Sequence, residues 1–457
     1  MAYSLDDTIA AISTPVGVGG IGIVRLSGPQ ALAIAGVLFR GPRGPRRRRW
    51  EPQRLYYGSV IDPADGRAVD EVLTSYMAAP HSFTRQDVVE FNVHGGPVPL
   101  REVLALCLGQ GARLAEPGEF TLRAFVNGRI DLAQAEAVLD TIQSKSAAAL
   151  RVAVNQLNGR LSGQVRALRQ GLLEVLAYLQ ASIDFSDDDI PPRDVRPELQ
   201  RAQATLQRLI HEADAGRVYR QGVHTAIVGR PNVGKSSLLN ALLRTDRAIV
   251  TPVPGTTRDT LEETLILQGV PFVLVDTAGI NESRDVVERI GVERSRRSLS
   301  EADLALLVVD GSTPCAPRDH EVAELVAARA ALLVVNKADL PQADTYAGLL
   351  PGVARVSVSA LTGQGIPELE EAMVQAVLGG AVQAAAEPLT ANPRHRAAFQ
   401  RALAQVVAAL QATHEGRFGD LVAIDVGEAV AILGEITGET ASEDLLATIF
   451  GQFCIGK

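Results

Sequence analysis

Cysteine is nearly missing from this chain: Cys107, Cys315 and Cys454 are the only three in 457 residues. Their spacing supplies neither a disulfide framework nor a metal knuckle, which excludes a stapled secreted module and fits a reduced compartment. Positive charge is also short, with a net charge of −9. No global attraction to nucleic acid follows, so any RNA contact must come from a local patch. No stretch of about 18 uncharged apolar residues occurs, so no membrane span is expected. Met1 to Asp7 carry neither a basic region nor an apolar core, so no signal peptide is expected and the chain should be soluble and cytoplasmic. Aromatic residues are scarce at 4 %, yet 46 % of the chain is hydrophobic, enough for sizeable cores. The length suggests about two to four domains.

The one strong basic run, Arg43 and Arg46 to Arg49, sits among Gly41, Pro42, Gly44 and Pro45. A solvated loop and a phosphate-binding role both remain open for it. Gly17-Val18-Gly19-Gly20-Ile21-Gly22 matches G-x-G-x-x-G, but a dinucleotide site needs a helix to begin at the last glycine. A β-branched run follows instead, so a glycine-rich strand connection is expected.

Residues 1–120 read as α+β. Strands are expected at Thr8–Ile12, Gly22–Leu26, Leu55–Ile61, Val72–Met77 and Val88–Val93, with helices over Pro29–Leu38 and Pro97–Leu108. From residue 121 the texture turns helical, through Ala124–Leu157, Leu161–Leu179 and Pro197–Ala213. The acids and prolines of Phe185–Pro192 break it and read as a solvated connection. A nucleotide domain spans 217–378, and helices return over Ala381–Leu410 and Gly427–Phe450. The expected architecture is multidomain α/β: an α+β domain at 1–120, an all-α helical domain in two parts (121–216 and 379–457), and a Ras-like P-loop domain (217–378) inserted between those parts.

The inserted domain carries the strongest signal. Gly229-Arg230-Pro231-Asn232-Val233-Gly234-Lys235-Ser236 is a P-loop between the apolar run Thr225–Val228 and the helical run Ser237–Leu243. Its backbone N–H groups face phosphates, Lys235 reaches the β- and γ-phosphates, and Ser236 offers a hydroxyl to Mg²⁺. Asp276-Thr277-Ala278-Gly279 follows a buried strand; Asp276 suits the Mg²⁺ shell and the Gly279 N–H the γ-phosphate. Asn336-Lys337-Ala338-Asp339 follows another strand. The Asp339 carboxylate matches guanine N1–H and N2–H, which adenine lacks, and an unpaired polar group rejects the wrong base strongly. Ser359-Ala360-Leu361 closes over the base. Together the set reads as a guanine-nucleotide site.

Hydrolysis needs a positioned water, and Ile280 stands where many small GTPases have glutamine. Glu288 is a candidate for that task, with a solvated helix charge as the alternative. Thr256 and Thr257 lie in Gly255–Asp259, where a threonine can ligate Mg²⁺ and sense the γ-phosphate. No arginine finger is assignable; Asn232 is either a turn asparagine or a ligand for a monovalent cation beside the phosphates.

Beyond these motifs the chain resembles the MnmE (TrmE) family of tRNA-uridine modification GTPases over essentially its whole length. The resemblance rests on Asp7–Ile12, Gly19–Arg25, Asp87–Glu90, His94–Gly96, Pro117–Thr121, Arg123–Phe125, Asp131–Ala137 and the ending Phe453-Cys454-Ile455-Gly456-Lys457. It implies a homodimer through the N-terminal domains, with a 5-formyl- or methylene-tetrahydrofolate bound between them by Arg25, Glu90, Arg129 and Lys457. For each of these four a solvated or paired surface charge is the alternative. It implies potassium-activated hydrolysis through G-domain pairing, with K⁺ held by Asn232, Thr251, the Val253 carbonyl and Thr256, Mg²⁺ by Ser236 and Thr257, and water placed by Glu288. Val233, Gly234 and Ser237 join the GTP-binding set. It implies addition of an aminomethyl or carboxymethylaminomethyl group to C5 of the wobble uridine of tRNA, with an FAD-dependent MnmG (GidA) partner. Cys454 serves that chemistry or is a buried, inert thiol. Arg129 stands where the family usually has lysine, Arg85 and Gln86 where it often has Gly and Glu, and Asn281 where a basic residue is common. A GTP-switched binding protein in ribosome assembly is the competing reading, against which stand the flanks, matched at both termini.

Overall fold

The computed structural model describes residues 6–15, 17–42, 50–185, 191–245, 262–276, 302–343, 345–378, 392–415 and 419–457. In chain order its elements are β1 (Ile9–Ile12), β2 (Ile21–Ser27), α1 (Ala31–Leu38), β3 (Phe39–Arg40), β4 (Arg54–Ile61), β5 (Ala68–Met77), β6 (Val88–His94), α2 (Pro97–Gly109), β7 (Arg113–Leu114), α3 (Glu119–Val126), α4 (Leu132–Gln143), α5 (Ala147–Leu157) and α6 (Arg160–Asp184). They continue as α7 (Arg196–Gln221), β8 (Val223–Val228), α8 (Lys235–Thr245), β9 (Glu262–Leu267), β10 (Val270–Asp276), β11 (Leu304–Asp310), α9 (Pro317–Val326), β12 (Ala331–Asn336), β13 (Arg355–Ser357), α10 (Ile366–Leu378), α11 (Pro393–His414), α12 (Gly419–Thr437) and α13 (Glu443–Phe450). Two compact units result: Met1–Leu139 with Leu157–Pro192 and Ala412–Lys457, and Asp140–Gln156 with Arg193–Gln411.

The first unit is built on a seven-stranded sheet of order β3-β4-β5-β6-β2-β1-β7, antiparallel except for β1–β7. Its strands alternate apolar and polar residues, so one face is buried and the other open. Val24, Leu26, Val72, Tyr76, Val89 and Phe91 form the buried face, against α1 and α2. The opposite face carries Arg25, Glu90 and Asn92, with Ile21, Leu55, Tyr57 and Leu73 exposed. At the β1 end that face is covered: Ile9 and Ala11 pack under Phe120, Ala115 and Phe83. The Gly17–Gly22 segment leads into β2, not a helix, as expected. Gly19 N donates to Gly95 O at 2.9 Å, and a Cβ on Gly95 would meet the Gly19 carbonyl at 2.6 Å, so the glycines serve backbone-to-backbone packing.

The helical pattern over Ala124–Leu157 divides into the end of α3, α4 and α5. The breaks sit at caps: Gln134 N donates to Asp131 Oδ1 at 2.9 Å while Asp131 N donates to Gln134 Oε1 at 3.0 Å, and Ala149 N donates to Ser146 Oγ at 3.1 Å. α6 packs along α12, and Arg169 joins them through Val430 O at 3.2 Å and Glu439 Oε2 at 2.5 Å.

The second unit holds a six-stranded sheet of order β13-β12-β11-β8-β10-β9, parallel except for β9. β8, β11 and β12 are almost wholly buried, because both faces are covered. Leu238, Leu242, Ile366, Leu369 and Met373 pack on one side; Ala323, Val326, Tyr346 and Leu349 on the other. α7 runs past the expected Ala213 because Gly216 is tolerated inside the helix, and it ends at Gly222, whose φ is 79°. β11, α9 and α10 add to the elements expected from sequence. Among the described residues no helix is long and apolar enough to cross a membrane.

Candidate functional site

β8 lies between β10 and β11, so the strand order reverses at its carboxyl end, where open α/β sheets bind ligands. The P-loop starts there. Gly229 has φ 152° and Gly234 φ 97°; a Cβ on either would collide, with the Val308 carbonyl or with Asn336 Nδ2. Only glycine permits the close approach. Asn232, with φ 64°, takes the left-handed conformation that asparagine tolerates. Lys235 Nζ donates to the carbonyls of Gly229 and Arg230, both at 3.0 Å, across the mouth of the loop. Ser236 and Ser237 are exposed in the first turn of α8, whose N-terminus favours anions.

Asn336 fastens three motifs together. Its Nδ2 donates to the Val233 carbonyl at 2.8 Å, and its Oδ1 accepts from Ala360 N at 3.0 Å. The side chain and the bond to Val233 are buried, and the bond to Ala360 is part-buried, so these polar groups depend on each other more than on water. Ser359 Oγ donates to Asp339 Oδ1 at 2.6 Å and fixes the rotation of that carboxylate. Ala338 N donates to the Val358 carbonyl at 2.9 Å, and Leu361 is exposed above. At the far side Asp276 pairs in register with Ile227, which brings the end of β10 beside the P-loop. Thr251, Val253, Thr256, Thr257, Thr277, Ala278, Gly279, Asn281 and Glu288 lie outside the described residues, as do Arg43, Arg46–Arg49 and Asp187–Asp189.

Two partnerships here escape motif reading. Asp310 pairs in register with Asn336, so Lys337, with φ 66°, reaches it: Nζ to Oδ2 is 2.6 Å. Burial pushes the Asp310 carboxyl up, but hydrogen bonds from Lys337 and Ser312 outweigh it and hold the pKa below the usual carboxylate value. Arg230 Nη2 donates to Thr313 Oγ1 at 2.5 Å, tying the P-loop to the segment after β11. The apolar run ending in Asp310 was a legible signal, of the same kind as the run ending in Asp276.

In the first unit Arg25 and Glu90 are cross-strand partners, with Nε to Oε1 at 2.7 Å. Arg25 also donates to the Gly456 carbonyl at 3.4 Å and lies over the Phe120 ring, 5.6 Å from its centroid. The chain's last residues line this place: Pro117 and Ile455 form an antiparallel bridge, and Phe120 N donates to the Lys457 carbonyl at 3.2 Å. Arg129 stacks 4.7 Å from the Phe83 centroid and donates to the Phe83 carbonyl at 3.3 Å. Phe83 and Phe120 belong to one small cluster, so Arg25 and Arg129 cap the same apolar patch. Cys454 is exposed, so it is not the buried thiol considered above.

Beneath lies a charge network, centred on the buried Arg123 and Glu119, that sequence reading did not assemble. Arg123 pairs with Asp7 at 2.5 Å and Glu119 at 2.9 Å, and Arg113 with the same two acids at 2.6 Å each. Gln86 fits it as a neutral acceptor: its Oε1 takes hydrogen bonds from Arg123 and Ser27, both at 3.1 Å. Arg123 already has two carboxylates, so an acid is not needed there.

The chain is similar to known proteins. A family model for the MnmE helical domain covers residues 132–454, and one for the GTP-binding protein TrmE N-terminus covers residues 8–129. A tRNA modification GTPase MnmE of Chloroflexus aurantiacus is 53% identical over 456 residues, 99% of this chain and 100% of its own. One of Geobacillus kaustophilus is 48% identical over 458 residues, 99% of each chain. A crystal structure of Era from Aquifex aeolicus, bound to GDP and AlF4−, is 31% identical, covers 42% of this chain and 66% of its own, and has a TM-score of 0.28. With both family models and full-length relatives near half identity, the chain belongs to the MnmE family of tRNA modification GTPases.

Proposed function

We propose that this GTPase couples hydrolysis to the addition of an aminomethyl or carboxymethylaminomethyl group at C5 of the tRNA wobble uridine. The one-carbon unit comes from a 5-formyl- or methylene-tetrahydrofolate, and the work is shared with an FAD-dependent partner of the MnmG (GidA) type in the cytoplasm. The observation that carries this reading is the convergence of Arg25, Glu90 and the C-terminal tail. They lie 65 and 431 residues apart along the chain, yet meet at 2.7 and 3.4 Å beside an aromatic patch. Two arginines capping an apolar platform suit a flat ring system with carboxylates on its tail. Arg129 in place of lysine keeps the charge and adds stacking on Phe83. The exposed Ile21, Leu55, Tyr57 and Leu73 on the same sheet face support a homodimer through this unit.

In the nucleotide domain the P-loop and Lys235 hold the phosphates, Asp339 selects guanine, and Asn336 keeps the base and phosphate segments in register. Ser236 lies in the first turn of α8 and Asp276 ends β10, residue types of the kind Mg²⁺ prefers, and Thr257 completes the proposed set. Asn232 is exposed and left-handed, which suits a K⁺ ligand, with Thr251, the Val253 carbonyl and Thr256 as its companions. When bound, these cations neutralise charge that develops between the β- and γ-phosphates. Glu288 positions the attacking water, and Cys454 takes part in the modification step.

Mass spectrometry of wobble-uridine nucleosides from cells lacking the gene tests the reading. Loss of the C5-aminomethyl-type modification is expected, with rescue by the intact gene and none by a Glu288→Ala version that still binds GTP. An unchanged nucleoside profile would overturn the reading.

A further inference from the structure

We infer that Arg85 extends the tetrahydrofolate site into a second anion subsite, so that this protein selects polyglutamylated over monoglutamylated folates. The inference rests on the folate reading above. Arg85 and Arg129 are both exposed, and among the described residues neither forms an ion pair with a carboxylate. The segments that carry them, 83–85 and 127–129, are tied to each other. Arg85 Nη1 donates to the Asn127 carbonyl at 3.0 Å and lies 3.6 Å from where a Cβ on Gly128 would sit, one residue before Arg129. Each arginine reaches across to the other's segment, Arg85 to Asn127 and Arg129 to Phe83, so two like charges share one neighbourhood and repel. Burial and the neighbouring Arg85 charge both pull the Arg129 pKa below its ordinary value.

The arrangement is built in advance. Arg85 has φ 59°, a left-handed conformation that disfavours arginine, so its segment is fixed by other contacts. Asn127 Nδ2 donates to the Thr84 carbonyl at 2.7 Å, and Thr84, fully buried, shares a 2.7 Å hydroxyl bond with Ser27. Arg129 is pinned on the other side by the Phe83 carbonyl and ring. Each guanidinium carries five donors, and each has one bond to a backbone carbonyl here. In the folate reading Arg25 and Arg129 take the two carboxylates of a monoglutamate tail, so a third anionic group would relieve the repulsion at Arg85. Each additional glutamate on a folate tail supplies one such carboxylate.

Equilibrium titration of the full chain with the mono- and triglutamate forms of 5-formyltetrahydrofolate decides it. The intact protein is expected to bind the triglutamate on the order of fivefold tighter, a gap that narrows with added salt. Arg85→Gly, which the left-handed backbone accepts without strain, should bind the monoglutamate as before and lose the gap. Arg85→Lys should keep part of it. Equal affinity for the two forms in the intact protein, or an undiminished gap in Arg85→Gly, would overturn the inference. Failure of both forms to bind would bring down the folate reading itself, and this inference with it.

Discussion

The two candidate sites are assembled by opposite means. In the nucleotide site each contributing segment carries its own local instruction: glycines at φ 152° and 97°, an apolar run, then a polar loop. Parallel strands deliver those loops to one edge, and Asn336 ties them with two bonds of 2.8 and 3.0 Å. In the arginine site no segment announces itself. Single charges on β2 and β6 become partners because an antiparallel register sets Arg25 opposite Glu90, and a tail 431 residues away closes beside them. A site made of strained loops is written locally, whereas a site made of lone charges exists only once the sheet has paired. The arginine site should therefore depend far more on the integrity of its scaffold.

Arg123→Ala tests that dependence with the largest expected effect. Arg123 and Glu119 are both fully buried, and removing one partner strands a carboxylate without its second cation. A loss of about 3–5 kcal/mol is expected in chemical denaturation, with folate binding lost and GTP binding kept. The same network predicts acid sensitivity. Burial pushes the Asp7 and Glu119 carboxyls up, but hydrogen bonds from Arg113 and Arg123, joined at Glu119 by the Glu116 backbone, outweigh it, so both lie below their ordinary 3.8 and 4.5. Their contribution is complete above about pH 4.5 and disappears as the pH falls through the depressed folded values. In Arg123→Ala the acid limb should move to higher pH. An unaltered acid limb, or GTP binding lost together with folate binding, would erase the contrast between the sites.

Asn336→Ala probes the other side. It leaves the buried Val233 carbonyl and the part-buried Ala360 N–H without their partner. The expected cost is about 2–4 kcal/mol, read as a weakening of GTP affinity on the order of 30- to 1,000-fold in a nucleotide titration. Folate binding should not change. A weakening below about threefold would mean that the motifs hold their positions singly and that Asn336 is a bystander.

What could be read in advance follows the same division. The strands β1, β2, β4, β5 and β6, the P-loop and the Asn336–Asp339 segment were legible because period-two alternation and glycine-bearing loops are local facts. The glycine-rich Gly17–Gly22 segment was rightly separated from a dinucleotide fingerprint by the β-branched run after it. The break between α3 and α4 was not foreseen, because the Asp131–Gln134 capping box lies inside an unbroken apolar period. Arg113 was missed for a different reason. A lone arginine on a two-residue strand gains meaning only when β7 pairs with β1 and places it at Asp7 and Glu119. The Lys337–Asp310 pair was hidden likewise by the β11–β12 register.

The smallest expected effect concerns another charge pair of the first unit, His94 with Asp70. Asp70 accepts from His94 N at 2.8 Å and meets His94 Nδ1 at 2.7 Å, although the imidazole is largely exposed. The hydrogen bond to Asp70, then its charge, raises the His94 pKa above the ordinary 6.5. The sign is opposite to that of Asp7 and Glu119: the pair's contribution is complete below pH 6.5 and is lost as the pH rises through the raised value. An NMR titration of the imidazole should give a midpoint above 6.5 that falls back in Asp70→Asn, with little change in melting temperature. That outcome would show strand-borne charges acting as pairs even where water screens them, which strengthens the case for Arg25 and Glu90 in their drier position. A midpoint indifferent to Asp70 would mean that β-strand placement alone does not couple charges at this edge, and the comparison would then rest on the buried network.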